Sequence, residues 1–325
     1  MRTFFEIEEG CLVSSESETA AIAVYTLPDN GEKKQLLDTL SHDAHDLESA
    51  LDPDEISRVD LGPEDTYIIW KCPNNVSYER QMKFEVSSIG IFLQKNRLTL
   101  ILGEIGPPFA GKEFQKITSL NGVVLKLFLH TVRHFLGHLR AIKQMTSEIQ
   151  TKLSHSMENR YLLQMFALSE SMTYYLNAIE ANAGVLQKIR ANPTKIGLSS
   201  EEAEVLDDII IDHQQCERQT QIYSSVLAGL MDARGTVINN NMNVLLKNLT
   251  LINVVFLPLN LIASIGGMSE FSAFTQHIDW RISYSLFTIA MIVFGSLTWI
   301  LLIRVNRPEI AVRQRSPKAT GKTGS

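Results

Sequence analysis

Cysteine is scarce in this chain: three in 325 residues, Cys11, Cys72 and Cys216. No pair has zinc-knuckle or CxxC spacing, and an odd, scattered count excludes a disulfide-stapled scaffold and favours a reducing compartment. The first thirty residues lack a basic stretch followed by an apolar one, so no signal peptide is expected and the N-terminal domain is expected in the cytosol. Basic charge is missing early on: residues 1–65 hold 4 Lys and Arg against 17 Asp and Glu, and the whole chain carries a net charge of −6. An overall basic field is absent, which excludes nucleic acid as a partner. Also absent are a P-loop, a nucleophile elbow, a His-Glu-x-x-His helix and a dinucleotide fingerprint. Neither an enzyme nor a tightly bound cofactor is expected. With 45% hydrophobic and 20% charged residues, disordered, collagen-like and low-complexity classes are excluded too.

What the chain has is two long runs without charge near its C-terminus. Residues 249–265 form the first, and residues 282–303 the second, closed by Arg304 and Arg307. Twenty-two residues without a charge predict a transmembrane helix, with Trp280 and Trp299 near its ends at headgroup level. The first run is shorter and can extend backwards through residues 244–248. The linker 266–281 is too short for a domain, so both termini lie on one side of the membrane. The tail 304–325 has six basic residues and one acidic, which puts that side in the cytoplasm of a plasma (bacterial inner) membrane.

Residues 1–110 alternate β-type runs (21–27, 66–71, 84–92, 97–102) with helical runs near 33–41 and 44–51, separated by turn signals such as Pro28-Asp29-Asn30-Gly31. This predicts a cytosolic α/β or α+β domain. Residues 111–198 read as a helical segment, helical over 118–191 with one or two interruptions and ended by Asn192-Pro193. Ser199 or Ser200, followed by Glu201-Glu202, opens a helix that meets no proline until Pro258. At 1.5 Å per residue its 65 or so residues reach roughly 100 Å, so residues 199–248 are expected to form a stalk that becomes the first membrane span. The predicted fold is an α+β cytosolic domain, a long stalk helix and two C-terminal transmembrane helices.

The first span carries a polar stripe. A +3/+4 step picks out Asn239, Asn243, Leu246, Thr250, Asn253, Leu257, Asn260 and Ser264. Six of these eight are polar and all share one helical face. An amide facing lipid is left unsatisfied at a cost of several kcal/mol, so the stripe must face water or copies of itself. A single Asn would fit a seam between two helices; a stripe along the whole span fits a pore. Two spans cannot enclose a channel, but a ring of copies can, with Leu246 and Leu257 as apolar constrictions. Rings of neutral oxygens suit a hard divalent cation that keeps much of its water, as Mg²⁺ does.

The run from Asn243 to Thr250, then Leu257-Pro258-Leu259-Asn260, then Gly266-Gly267-Met268-Ser269 resembles the pore helix and signature of CorA-type divalent cation transporters. Residues from His45-Asp46-Leu47-Glu48 to Arg58, then Tyr67-Ile68-Ile69, resemble that family's soluble domain less specifically. The resemblance implies a funnel-shaped homopentamer, with divalent ions held between acidic N-terminal domains closing the pore. Gly267 and Met268 match the family's Gly-Met-Asn, while Ser269 stands where the asparagine ring receives the hydrated ion. The zinc-transporting branch also departs from that signature, at the methionine. The resemblance therefore leaves Mg²⁺ and Zn²⁺ both open as transported or regulatory ions, with Co²⁺ and Ni²⁺ beside them. A non-conducting membrane-anchored metal sensor or scaffold of the same fold is the alternative that Ser269 keeps open.

Three other groups carry ligand chemistry. His130, His134 and His138 fall at i, i+4 and i+8 of a helical segment, and two such imidazoles can hold a transition ion; nearby Arg133 and Arg140 oppose it. His42-Asp43 and His45-Asp46 read as a solvated helix surface. In the linker, Glu270, His277 and Asp279 would repeat around a ring and draw cations to the entrance.

Overall fold

The computed structural model describes residues 1–40, 44–63, 65–74, 84–103, 109, 113–155 and 159–313, with backbone alone for 153–155, 270–272, 302–303 and 305–313. It divides into two compact units, Met1–Asp232 and Ala233–Ser325.

The first unit is built on a seven-stranded sheet of order β2-β1-β3-β7-β6-β5-β4. Its strands are β1 (Arg2–Glu8), β2 (Cys11–Ser15), β3 (Ile22–Thr26), β4 (Arg58–Leu61), β5 (Asp65–Pro73), β6 (Val86–Gln94) and β7 (Leu98–Leu102). Only β3 and β7 pair in parallel. Along the central strands successive side chains enter opposite layers. Ile22, Val24, Ile68, Trp70, Ile91 and Leu100 point into one core with helices α3 (Leu120–His155), α4 (Asn159–Ala191) and the start of α6 (Ser200–Gly266). Ala23, Tyr25, Tyr67, Ile69, Phe92 and Ile101 point into the other, under α1 (Asn30–Leu40) and α2 (Ala44–Leu51). Burial on both faces is why these strands read as continuous apolar runs. Helix α2 comes so close to the sheet that a Cβ on Gly90 would sit 2.4 Å from Ala50 Cβ; glycine is required there.

A third core continues away from the sheet, where Phe135, Leu139, Met172, Tyr175, Cys216 and Leu227 of α3, α4 and α6 pack together. Helix α4 is also tied to β5 by polar contacts. Strand β4 pairs with Thr66–Ile69 and stops, leaving the edge of Lys71 uncovered. The Asn182 side chain takes the missing strand's place: its Oδ1 accepts the Lys71 N–H at 3.0 Å and its Nδ2 donates to the Lys71 carbonyl at 2.8 Å.

Two helix starts follow a reciprocal capping box. At α6, Glu202 N–H donates to Ser199 Oγ (3.2 Å) and Ser199 N–H to Glu202 Oε2 (2.8 Å). At α1, Glu32 N–H donates to Asp29 Oδ1 and Asp29 N–H to Glu32 Oε2, so the turn signal at residues 28–31 is a helix cap. A four-residue helix, α5 (Pro193–Ile196), separates α4 from α6.

The second unit contains the rest of α6, a short helix α7 (Ser269–Phe274) inside the linker, and α8 (Trp280–Arg313). Both α6 and the segment Trp280–Leu301 of α8 are long and apolar enough to cross a membrane.

Candidate ion path and metal-ligating residues

Within the second unit, α6 and α8 pack along one face of α6. Val255 is buried and Leu259 and Ile262 are partly covered there. At the end of the helix a Cβ on Gly266 would lie 2.4 Å from the Phe287 ring, so glycine lets α8 approach. Counting 100° per residue, the eight stripe positions all fall within about 60° of the point opposite Val255. Asn239, Asn243, Leu246, Thr250, Asn253, Leu257, Asn260 and Ser264 are exposed in the single chain. The polar stripe is therefore not a seam with α8. Thr250 Oγ donates back to the Leu246 carbonyl at 2.8 Å, which satisfies the hydroxyl proton and leaves its lone pairs outward. Pro258 lies inside the helix and leaves the Val254 carbonyl without its intrahelical donor.

The signature segment ends α6. Gly267 N–H donates to the carbonyls of Ala263 (3.1 Å) and Ser264 (3.2 Å), and Met268 N–H to that of Ile265 (3.1 Å). Ser269 then opens α7, and Met268 and Ser269 are exposed. The last carbonyls of a long helix carry the negative end of its dipole, about half an elementary charge. In the linker, Asp279 is the cap of α8: its carboxylate accepts the Arg281 N–H at 3.0 Å and its carbonyl the Ile282 N–H at 2.9 Å. Capping gives Asp279 a structural task beside any role at an entrance. His277 is exposed, and the side chain of Glu270 lies outside the described residues.

In the first unit, the three histidines of α3 do form one row. Ring centroids are 6.1 Å apart for His130 and His134 and 4.4 Å apart for His134 and His138. The row has partners at both ends. Glu113 Oε2 lies 3.7 Å from His130 Nδ1, and the Tyr175 hydroxyl 2.6 Å from His138 Nδ1. Arg133 is drawn off by Glu113, to which it donates at 2.9 Å. The Glu113 carboxyl sits below the usual carboxylate range; burial works against this, and the Arg133 hydrogen bond leads the effects that lower it. Burial pushes His134 below the ordinary histidine range and His138 down to about 4. Both are neutral imidazoles at neutral pH.

Among the described residues, no group of three or more His, Cys, Asp or Glu side chains is placed to hold a metal ion. Five acidic residues of the N-terminal segment face arginines: Arg58 faces Asp46, Glu55 and Asp60, and Arg2 faces Glu18 and Glu32. His42 and Asp43 lie outside the described residues; His45 is exposed on α2. Glu113 and Tyr175 were not singled out by spacing. They come from residues 17 and 37 positions away from their partners, and no periodic signal marks them.

Residues 19–304 match the family model described as CorA-like Mg²⁺ transporter protein. The chain is 23% identical over 279 residues to the "Cobalt/magnesium transport protein CorA" of Methanocaldococcus jannaschii, covering 81% of this chain and 86% of that protein. It is 28% identical over 109 residues, 27% of this chain and 34% of the other, to the "Putative metal ion transporter YfjQ" of Bacillus subtilis. The complete structure of the CorA magnesium transporter from M. jannaschii superposes with a TM-score of 0.74 at 19% identity, covering 94% of this chain and 97% of that one. That likeness shows the fold. With the family match spanning most of the chain and two apolar C-terminal helices, this protein belongs to the CorA-like Mg²⁺ transporter family and is an integral membrane transporter of divalent metal ions.

Proposed function

We propose that five copies of the chain surround a pore lined by α6, through which a hydrated Mg²⁺ or Zn²⁺ crosses the membrane, with Co²⁺ and Ni²⁺ as further substrates. The observation that carries this reading is the stripe of exposed polar residues on the side of α6 opposite α8. In a ring, α8 would face lipid, and the stripe would face its own copies around water. Each Asn then contributes a neutral carbonyl oxygen per subunit, which suits an ion that keeps its water shell. The C-terminal carbonyls of five α6 helices would add partial negative charge at the mouth, beside Ser269. The names of the relatives, cobalt/magnesium and magnesium transport, support Mg²⁺ and Co²⁺. Ser269 in place of asparagine keeps Zn²⁺ in contention. It also supports a second reading, a non-conducting metal sensor of the same fold, in which no ion flux occurs under any gradient.

Cysteine accessibility in liposomes tests the pore. Cys at Asn253 and Asn260 is expected to react with small hydrophilic thiol reagents, whereas Cys at Val255 and Ile262, on the α8 side, is not. Equal labelling at all four positions would make the stripe a helix seam. Native mass spectrometry of the same preparation is expected to show five copies, and a monomer or dimer would contradict the ring.

A further inference from the structure

The histidine row on α3 lies in the first unit, outside the residues assigned to the ion path. We propose that His134 and His138 form a two-imidazole seat for a borderline transition ion (Zn²⁺, Ni²⁺, Co²⁺ or Cu²⁺), a binding site separate from the pore. Two imidazoles bound side by side to one octahedral ion at about 2.1 Å hold their ring centroids roughly 4.6 Å apart, and on a tetrahedral ion roughly 5.3 Å apart. His134 and His138 already stand at 4.4 Å, so little rearrangement is needed. His130, at 6.1 Å from His134, is a little too far to be a third ligand as it stands, and water completes the coordination.

The surroundings fit a ligand role. A metal-bound histidine nearly always has its second ring nitrogen held by a hydrogen-bond partner, which fixes ring orientation. Tyr175 supplies this for His138: its hydroxyl lies 2.6 Å from Nδ1, which leaves Nε2 for the ion. Tyr175 is itself fixed, fully buried against Phe135 and Phe84. Both histidines are only partly buried, so an ion can reach them from solvent. Arg133, next to His134 in sequence, is paired with Glu113. Imidazole selects borderline ions and leaves Mg²⁺ to oxygen sites, so excess Mg²⁺ competes for the pore and not for this site.

The test uses the full-length protein in lipid nanodiscs with millimolar Mg²⁺ present to fill oxygen sites. Ni²⁺ titrated calorimetrically is expected to bind, with affinity falling tenfold or more in His134→Ala and in His138→Ala. Tyr175→Phe, which keeps the packed ring and removes only the hydroxyl, is expected to weaken binding without changing stoichiometry. Unchanged Ni²⁺ affinity in both histidine variants overturns the proposal. If those variants fail to fold, the wild-type protein answers alone. Stoichiometric Ni²⁺ should slow carbethoxylation of His134 and His138, mapped by peptide mass spectrometry, at least tenfold; unslowed modification at these two residues overturns it equally. Either result stands whether or not the pore conducts.

Discussion

Replacing Asn182 with Leu removes the side chain that stands in for a strand at the edge of β5. Three groups lose their partner: the Lys71 N–H (3.0 Å), the Lys71 carbonyl (2.8 Å) and the Ser57 hydroxyl, which donates to Asn182 Oδ1 at 2.7 Å. Asn182 is fully buried, so water cannot replace it. The Ser57 hydroxyl can rotate to another acceptor, but the two backbone groups cannot move. At about 1–3 kcal/mol for each orphaned buried group, the loss is about 2–6 kcal/mol. A domain holds only about 5–15 kcal/mol of stability, so α4 should detach from β5 well before global unfolding. Hydrogen exchange read by mass spectrometry on the full chain reports this directly. The Lys71 amide is expected to exchange at least about 30-fold faster in Asn182→Leu, the factor that 2 kcal/mol represents. Ser57→Ala, which leaves both backbone contacts intact, should cost about 0.5–1.5 kcal/mol and leave Lys71 protected. Unchanged Lys71 exchange together with an unchanged melting temperature in Asn182→Leu would refute the reasoning.

At the pore mouth, Ser269→Asn restores the family's asparagine and is expected to raise Mg²⁺ uptake relative to Zn²⁺ in liposomes, each added hydrogen bond to the ion's water being worth about 1 kcal/mol. Ser269→Ala should lower both, and identical uptake ratios in all three forms would take Ser269 off the ion path. A third expectation concerns acid. His213, inside the core between α6 and the sheet, is pushed down to about 4 by burial. Its unfolded form binds a proton near pH 6.5 while the folded form does not, so stability is full above that pH and falls as pH drops from about 6.5 towards 4. The melting temperature of His213→Phe should depend less on pH across that window, and an unaltered slope would remove His213 as the cause.

Charge-free runs of 17 and 22 residues mark the membrane spans in the amino-acid sequence itself. Hydrocarbon cannot solvate charge, and that holds whatever the tertiary fold. The polar stripe is legible for the same kind of reason, since a continuous helix converts spacing directly into a face. The central strands β3, β5, β6 and β7 show as apolar runs because both their faces are buried. The outer strands β2, β1 and β4 do not show. In β1, charged residues interrupt the apolar run, and β4 is only four residues long, too little periodicity to separate from a loop. Tertiary structure alone decides which side of α6 meets α8, because a sequence repeat gives a face but not its neighbour. It also decides that Asp279 caps a helix, that Asn182 completes a strand 111 residues earlier, and that Tyr175 and Glu113 flank the histidine row. Most of these are contacts between distant segments, and local spacing carries no information about them.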